Sequence, residues 1–286
     1  MELIREVARL RELADDRRSA GNEIGFVPTM GALHEGHASL IRRAREDTGF
    51  VVVSIFVNPL QFGEGEDFER YPRDEERDLT ATERLGVDAV WAPSVEDMFP
   101  PGVELPAPDP GPVGDMFEGA ARPGHFAGVL KVVHRLFDVI GPCAASFGWK
   151  DAQQLFLIER MVEGLALPIR ITRCPTVREP DGLAVSSRNA FLDPDQRTQA
   201  TCLFLGLSEA ASLARSGERD AAVIAASMAR EIGATPLAAL DYAAVVDEAT
   251  FEPVQSLPRD RLCRGIVAAR FADVRLIDNV LLPEPV

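Results

Sequence analysis

The chain has 286 residues, 46% hydrophobic and 26% charged, enough to bury a full core in one large domain or two without disulfides or metal. Its formal net charge of −15 repels a phosphate backbone and excludes a nucleic-acid partner, although a few local basic groups can still hold one small anion. The four cysteines (Cys143, Cys174, Cys202, Cys263) form no C-x-x-C pair and no apolar run is long enough to span a bilayer. Zinc knuckles, disulfide frameworks and membrane spans therefore drop out, and a soluble cytoplasmic protein is expected.

From the N-terminus, Met1–Ala20 reads as an amphipathic surface helix with Leu3, Ile4, Val7, Leu10 and Leu13 on its apolar side, and not as a signal peptide. Ile24–Val27 is a short apolar run entering Pro28-Thr-Met-Gly, a strand leading into a turn. From Glu35 the pattern becomes helical, with Leu40, Ile41 and Ala44 on one face. Val51–Val57 is almost continuously apolar, as buried parallel strands are, and stops at Asn58-Pro59. Further strands are predicted at Ala89–Trp91, Ala145–Phe147 and Ile169–Thr172, alternating with helices at Asp74–Leu85, Gly128–Ile140 and Ala152–Gly164. This alternation predicts a parallel sheet with helices on both faces, whose ligands bind beyond the carboxyl ends of the strands.

Pro175–Arg197, rich in Pro, Gly, Asp, Ser and Asn, reads as a linker or mobile loop. Asp193-Pro194 then opens a helix expected to run to about Gly217. A second helix over Asp220–Ile232 and strands at Asp241–Val246 and Gly265–Ile277 complete a second, smaller α/β domain.

The chemistry-bearing stretches fall at strand ends. In Pro28-Thr-Met-Gly-Ala-Leu-His34-Glu-Gly-His37, Gly31 and Gly36 let a ligand approach the backbone, and the following helix offers free N–H groups to an anion. His34 and His37, three apart, can face one side of the first helical turn and stabilise charge on a leaving pyrophosphate. A P-loop would need Lys and a hydroxyl where His37-Ala38 stands, and a zincin would need histidines four apart. The plainer alternative is that both histidines are ordinary surface or core residues.

Phe147-Gly-Trp-Lys150-Asp151-Ala-Gln153-Gln154 is a second strand-to-helix turn, where Gly148 opens the turn, Lys150 suits phosphate and Asp151 can cap the helix. Lys150 and Lys131 are the only lysines among 30 basic residues. Val177–Asn189 carries Ser186, Ser187 and the fixed positive fork of Arg188, fit to close over a triphosphate. Asn58 and Gln61 offer neutral amides to orient a polar substrate, or simply form a turn. Arg122-Pro-Gly-His125-Phe-Ala-Gly128 adds a cation near a helix start.

Taken together these stretches resemble the pantothenate synthetase family (pantoate–β-alanine ligases) of the H-x-G-H nucleotidyltransferase-like superfamily, almost end to end. The resemblance is carried by the two turns above, Ile55-Phe-Val-Asn-Pro-x-Gln-Phe, Tyr71-Pro-Arg73, Arg122-Pro-x-His125-Phe-x-Gly and Val177-Arg178-Glu-x-Asp-Gly-Leu-Ala-x-Ser-Ser-Arg-Asn. Asp241-Tyr-x-x-Val-Val-Asp247 and the terminal Arg275-Leu-Ile-Asp-Asn279 complete it.

The resemblance implies a Rossmann-like domain over 1–176, binding ATP and pantoate, and a smaller C-terminal domain over 177–286 that closes over the active site. It implies ATP-dependent condensation of (R)-pantoate with β-alanine through a pantoyl adenylate, with Mg2+ as cofactor and a homodimer as the assembly. The family's ATP site falls on Met30, Gly31, Ala32, Leu33, His34, Glu35, Gly36 and His37, on Gly148, Trp149, Lys150 and Asp151, and on Val177, Val185, Ser186, Ser187 and Arg188. Pantoate falls to Gln61 and Gln154, with Gln61 also near β-alanine and Asn58 close by. His37 is the implied proton donor, with His34, Lys150 and Arg188 as further catalytic donors; no metal ligand is assigned. Another H-x-G-H nucleotidylyltransferase is the alternative reading. Two positions depart from the family pattern: Trp149 stands where Glu is usual, and Val185 where Met is commoner.

Overall fold

The computed structural model describes residues 1–63 and 68–282. Residues 64–67 and 283–286, which fall within the two expected domains, lie outside that description. The described chain divides into two compact units, Met1–Gly148 with Gln154–Pro175, and Trp149–Gln153 with Thr176–Val286.

The first unit is built on β1 (Glu2–Ile4), α1 (Val7–Ser19), β2 (Ile24–Thr29), α2 (Glu35–Asp47), β3 (Phe50–Ile55), α3 (Glu75–Arg84) and β4 (Ala89–Trp91). The short helices α4 (Val95–Met98) and α5 (Glu118–Ala121) lead to α6 (His125–Ile140), β5 (Cys143–Gly148), α7 (Ala152–Gly164) and β6 (Ile169–Cys174). The six strands form one sheet in the order β1-β4-β3-β2-β5-β6, every neighbouring pair parallel. From β2 the chain builds outward through β3 and β4, then returns to place β5 on the other side of β2. The switch point of this Rossmann-like sheet therefore lies between β2 and β5, where such sheets bind ligands. Val27, Val51, Val53 and Val90 pack against Leu40, Ile41 and Ala44 of α2, so the helix that leaves β2 is clamped onto the sheet by its apolar face.

The N-terminal expectation needs correction. Glu2–Ile4 is an edge strand paired with Ala89–Trp91, and the helix begins only at Val7. Ile4 is 2% exposed and Leu3 40%, an alternation of period two that a helical reading of the same apolar residues conceals.

The second unit contains α8 (Pro194–Gln199), α9 (Cys202–Arg215), α10 (Ala221–Gly233), β7 (Ala239–Asp247), β8 (Cys263–Phe271) and β9 (Val274–Leu282). Its three strands form an antiparallel sheet, β7-β8-β9, whose core includes Leu203, Leu207 and Ile224 from the helices. Two expectations are revised here. The single helix from Asp193 is split where the Leu203 N–H reaches back to the Ala200 carbonyl, three residues away, tightening the turn. The single strand over Gly265–Ile277 is a hairpin, turning at Ala272 and Asp273. No glycine marks that turn; Ala272 takes the left-handed φ of 50° instead. Pro175–Arg197 is also more structured than a linker: Arg178 and Ala184 form an antiparallel bridge, and Ser187–Phe191 is a 3-10 turn.

Candidate active site

At the end of β2 the backbone makes a left-handed detour, with Gly31 at φ 79° and Ala32 at φ 51°. Asp78 of α3 holds it there. One carboxylate oxygen accepts the Ala32 N–H and the other the Leu33 N–H, both at 2.8 Å. Asp78 is 2% exposed, and burial raises its pKa above the usual carboxylate range against the opposing pull of those two N–H groups. A Cβ on Gly31 would lie 2.8 Å from the Asp78 carboxylate, and one on Gly36 would lie 2.9 Å from the His34 ring. Both glycines thus have a reason internal to the protein: they admit the groups that shape the turn.

His34 stands at the N-cap of α2, and its ring stacks on His37 with centroids 4.0 Å apart and planes 25° apart. The His34 N–H donates to His37 Nδ1 at 3.4 Å, so the neutral His37 ring carries its proton on Nε2. The Glu35 carboxylate is engaged by Arg42 at 2.6 Å, which lowers its pKa; its backbone N–H, at the helix start, is the group left for an anion.

Met30 leads to the amide pair. Gln61 Nε2 donates to Met30 Sδ at 3.1 Å, and Asn58 Nδ2 donates to both Gln61 Oε1 and the Gly128 carbonyl, each at 3.1 Å. Asn58 also caps the 3-10 turn Pro59–Gln61, accepting the Leu60 N–H. The Arg122–Gly128 stretch forms the floor under this turn. His125 Nδ1 meets the Gln61 carbonyl at 2.8 Å, and an Arg122 guanidinium N–H donates to the same oxygen at 3.2 Å. A Cβ on Gly128 would lie 2.0 Å from the Leu60 carbonyl, so only glycine permits this approach. The first unit therefore brings Met30, Asn58 and Gln61 together. Gln154, on the first turn of α7, is half-buried.

In the second unit, Trp149–Asp151 forms a 3-10 turn, with Lys150 Nζ 3.9 Å from the Asp151 carboxylate. Asp151 is thus a charge neighbour of Lys150. A Cβ on Gly148 would meet nothing within 4 Å, leaving open space beside that backbone. Arg264 lies 5.3 Å from the centre of the Trp149 ring, a cation facing that aromatic. Val177 and Val185 are tied as neighbours by the Val185 N–H to the Val177 carbonyl at 2.9 Å. Ser186 caps the following turn by accepting the Arg188 N–H at 3.3 Å, and Ser187 opens it. The unit thus collects Trp149–Asp151 and the Val177–Arg188 segment.

Two supporting residues escaped sequence reasoning. Asp78 was readable in part, because Asp78 and Thr82 are polar residues four apart on the buried side of α3. Asn279 was seen only as part of a terminal motif. Burial pushes the Cys143 thiol up to about 12 and that of Cys263 to about 11, so neither supplies a thiolate nucleophile at neutral pH.

The sequence profile of the family described as pantoate-beta-alanine ligase matches residues 2–281. The chain belongs to that family. It is 50% identical over 287 aligned positions to the pantothenate synthetase of Rubrobacter xylanophilus, covering 98% of both chains. Against the pantothenate synthetase of Thermotoga petrophila the identity is 46%, over 99% of this chain and all of the other. Among solved structures, the Thermus thermophilus pantothenate synthetase superposes with a TM-score of 0.91 at 44% identity, over 98% of this chain and 99% of that one. The Francisella tularensis pantoate-beta-alanine ligase, solved with beta-gamma ATP and β-alanine, gives a TM-score of 0.77 at 33% identity, covering 98% and 97%. As a member of this ligase family the chain is an enzyme of the carbon–nitrogen bond-forming type, on the α/β fold its sequence alternation predicts.

Proposed function

We infer that the chain condenses pantoate with β-alanine at the expense of ATP, releasing AMP and pyrophosphate, and that it does so through a pantoyl adenylate. The observation that carries this reading is the stacked His34–His37 pair on the N-terminus of α2, at the switch point of a parallel sheet. A triphosphate set there meets the N-terminal N–H groups and positive dipole end of α2, with His37 Nε2–H as a donor.

In the first half-reaction a pantoate carboxylate oxygen attacks the α-phosphorus, and the bond to the bridging oxygen breaks toward pyrophosphate. Charge builds on the leaving oxygens, where His34, His37, Lys150 and Arg188 are the assigned donors. Little covalent work falls to the protein, so alignment supplies the rate, and the amides of Gln61, Asn58 and Gln154 are assigned to hold pantoate by its hydroxyls and carboxylate. In the second half-reaction the β-alanine amine adds to the acyl carbon, the acyl–oxygen bond to AMP breaks, and the amine loses a proton. Water must be kept out meanwhile, because an acyl adenylate hydrolyses readily.

Mg2+ belongs to this proposal as the counter-ion of the nucleotide substrate. Such an ion takes one or two carboxylates besides phosphate oxygens and water. Among the described residues no three His, Cys, Asp or Glu side chains cluster to hold a metal ion. A cytoplasmic homodimer is part of the same reading; the four buried free cysteines suit a reducing compartment. Among the described residues no helix is long and apolar enough to cross a membrane.

The test is pantoate-dependent exchange of labelled pyrophosphate into ATP without β-alanine. Exchange is expected, and its complete dependence on pantoate separates a ligase from a nucleotidylyltransferase acting on a phosphorylated acceptor. A protein that binds ATP yet shows no exchange would sink the adenylate route.

A further inference from the structure

The terminal motif Arg275-Leu-Ile-Asp-Asn279 has no role in the mechanism above, yet its last two side chains are buried, Asp278 at 3% and Asn279 at 5% exposure. Both reach segments assigned to ATP. Asn279 Nδ2 donates to the Trp149 carbonyl at 2.8 Å and to the Lys150 carbonyl at 2.9 Å. Its Oδ1 accepts from Arg264 Nη1, and Arg264 in turn grips Glu248 with Nε at 2.7 Å and Nη2 at 2.8 Å. The orientation of the amide is thereby dictated: a cation claims its oxygen, so both N–H groups must face the two carbonyls. All three hydrogen-bonding sites used are satisfied, which makes the contact rigid.

Asp278 grips the other segment. Its carboxylate takes Arg178 bidentately at 2.5 and 3.0 Å, and Arg178 also donates to the Gly182 carbonyl at 3.0 Å, closing the hairpin that joins Val177 to Val185. Successive residues of a strand point to opposite faces, so one dipeptide can hold two separate segments.

We propose that Asp278 and Asn279 position the nucleotide-binding segments of this unit, and that Asn279, locked by the Glu248–Arg264 pair, acts on catalysis through Lys150. The inference rests on the assignment of Lys150 to the ATP site. Asn279 fixes the backbone from which the Lys150 ammonium projects. Without the amide, the Trp149 and Lys150 carbonyls lose this cross-chain donor, and the turn can drift by the ångström or so that matters to a group aimed at a phosphate.

The experiment compares the parent, Asn279→Ala, Lys150→Ala and the double variant in pantoate-dependent pyrophosphate exchange across a range of ATP concentrations. Asn279→Ala is expected to lose about 10- to 100-fold at limiting ATP. Its KM for pantoate should stay within about 2-fold of the parent, because the pantoate amides are held by other contacts. In the Lys150→Ala background the same substitution should cost less than about 2-fold, since residues acting as one unit do not add. Equal losses in both backgrounds would overturn the proposal, as would a lower melting temperature with undiminished exchange at 25 °C. Parental exchange in Lys150→Ala would instead strike the ATP-site assignment itself. Should Asn279→Ala not fold, Arg264→Lys, whose single nitrogen lacks the planar fork that spans Glu248 and Asn279, enters the same cycle with the same criteria.

Discussion

The two strand-to-helix turns assigned to ATP are held by opposite chemistry. In the turn after β2, a buried carboxylate grips backbone N–H groups: Asp78 accepts from Ala32 and Leu33. In the Trp149–Asp151 turn, a neutral amide grips backbone carbonyls: Asn279 donates to Trp149 and Lys150. The first depends on a group that can take up a proton, the second on one that cannot. The two turns can therefore respond differently to acid and to mutation.

The largest effect should come from the donor that the first turn presents. His37→Ala is expected to slow pyrophosphate exchange at least ~100-fold, the scale of losing a transition-state donor. Near-parental exchange in that variant would move the catalytic burden to Lys150 and the second turn.

Asp78→Asn probes the anchor of the first turn. An amide offers one acceptor oxygen where the carboxylate offers two, so one of the two N–H groups loses its partner at a cost of about 1–3 kcal/mol. The pH dependence has a definite sign. The folded pKa of Asp78 is raised, so its contribution to stability is fully present below the ordinary carboxylate value and is lost as pH rises through the raised one. The melting temperature of the variant relative to the parent should therefore improve from acid to neutral pH. A constant difference would mean that the charge of Asp78 is not what burial acts on.

The smallest effect is expected at Trp149, which faces Arg264 in the second turn. Trp149→Glu removes a cation–π contact and offers the buried Arg264 a second carboxylate beside Glu248. Exchange should change by no more than a few-fold, because Lys150 and the Asn279 contacts remain. A parent without turnover that Trp149→Glu restores would show that the tryptophan disables the turn.

Legibility in the sequence followed the range of the interactions concerned. The run of β3, the limits of α7 and the proline-opened start of α8 depend on neighbours within a few residues, and they appear close to where the pattern puts them. The histidine pair was legible for the same reason, since a spacing of three on a helix start brings two rings together. Misreadings arose where local patterns conflict. Leu3 and Ile4 fit a helical stripe as well as an edge strand, and Ala272 turns a hairpin without any turn residue.

By itself the sequence determined the alternation that makes a parallel sheet, the placing of the chemical motifs at strand ends, and the resemblance to a ligase family. Only the tertiary structure decided what holds those motifs in place. Asp78 reaches Ala32 across 46 residues of chain, and Asn279 reaches Trp149 across 130. Hydrogen bonds of that span leave no periodic trace, because their partners become neighbours only when the core that carries them has formed.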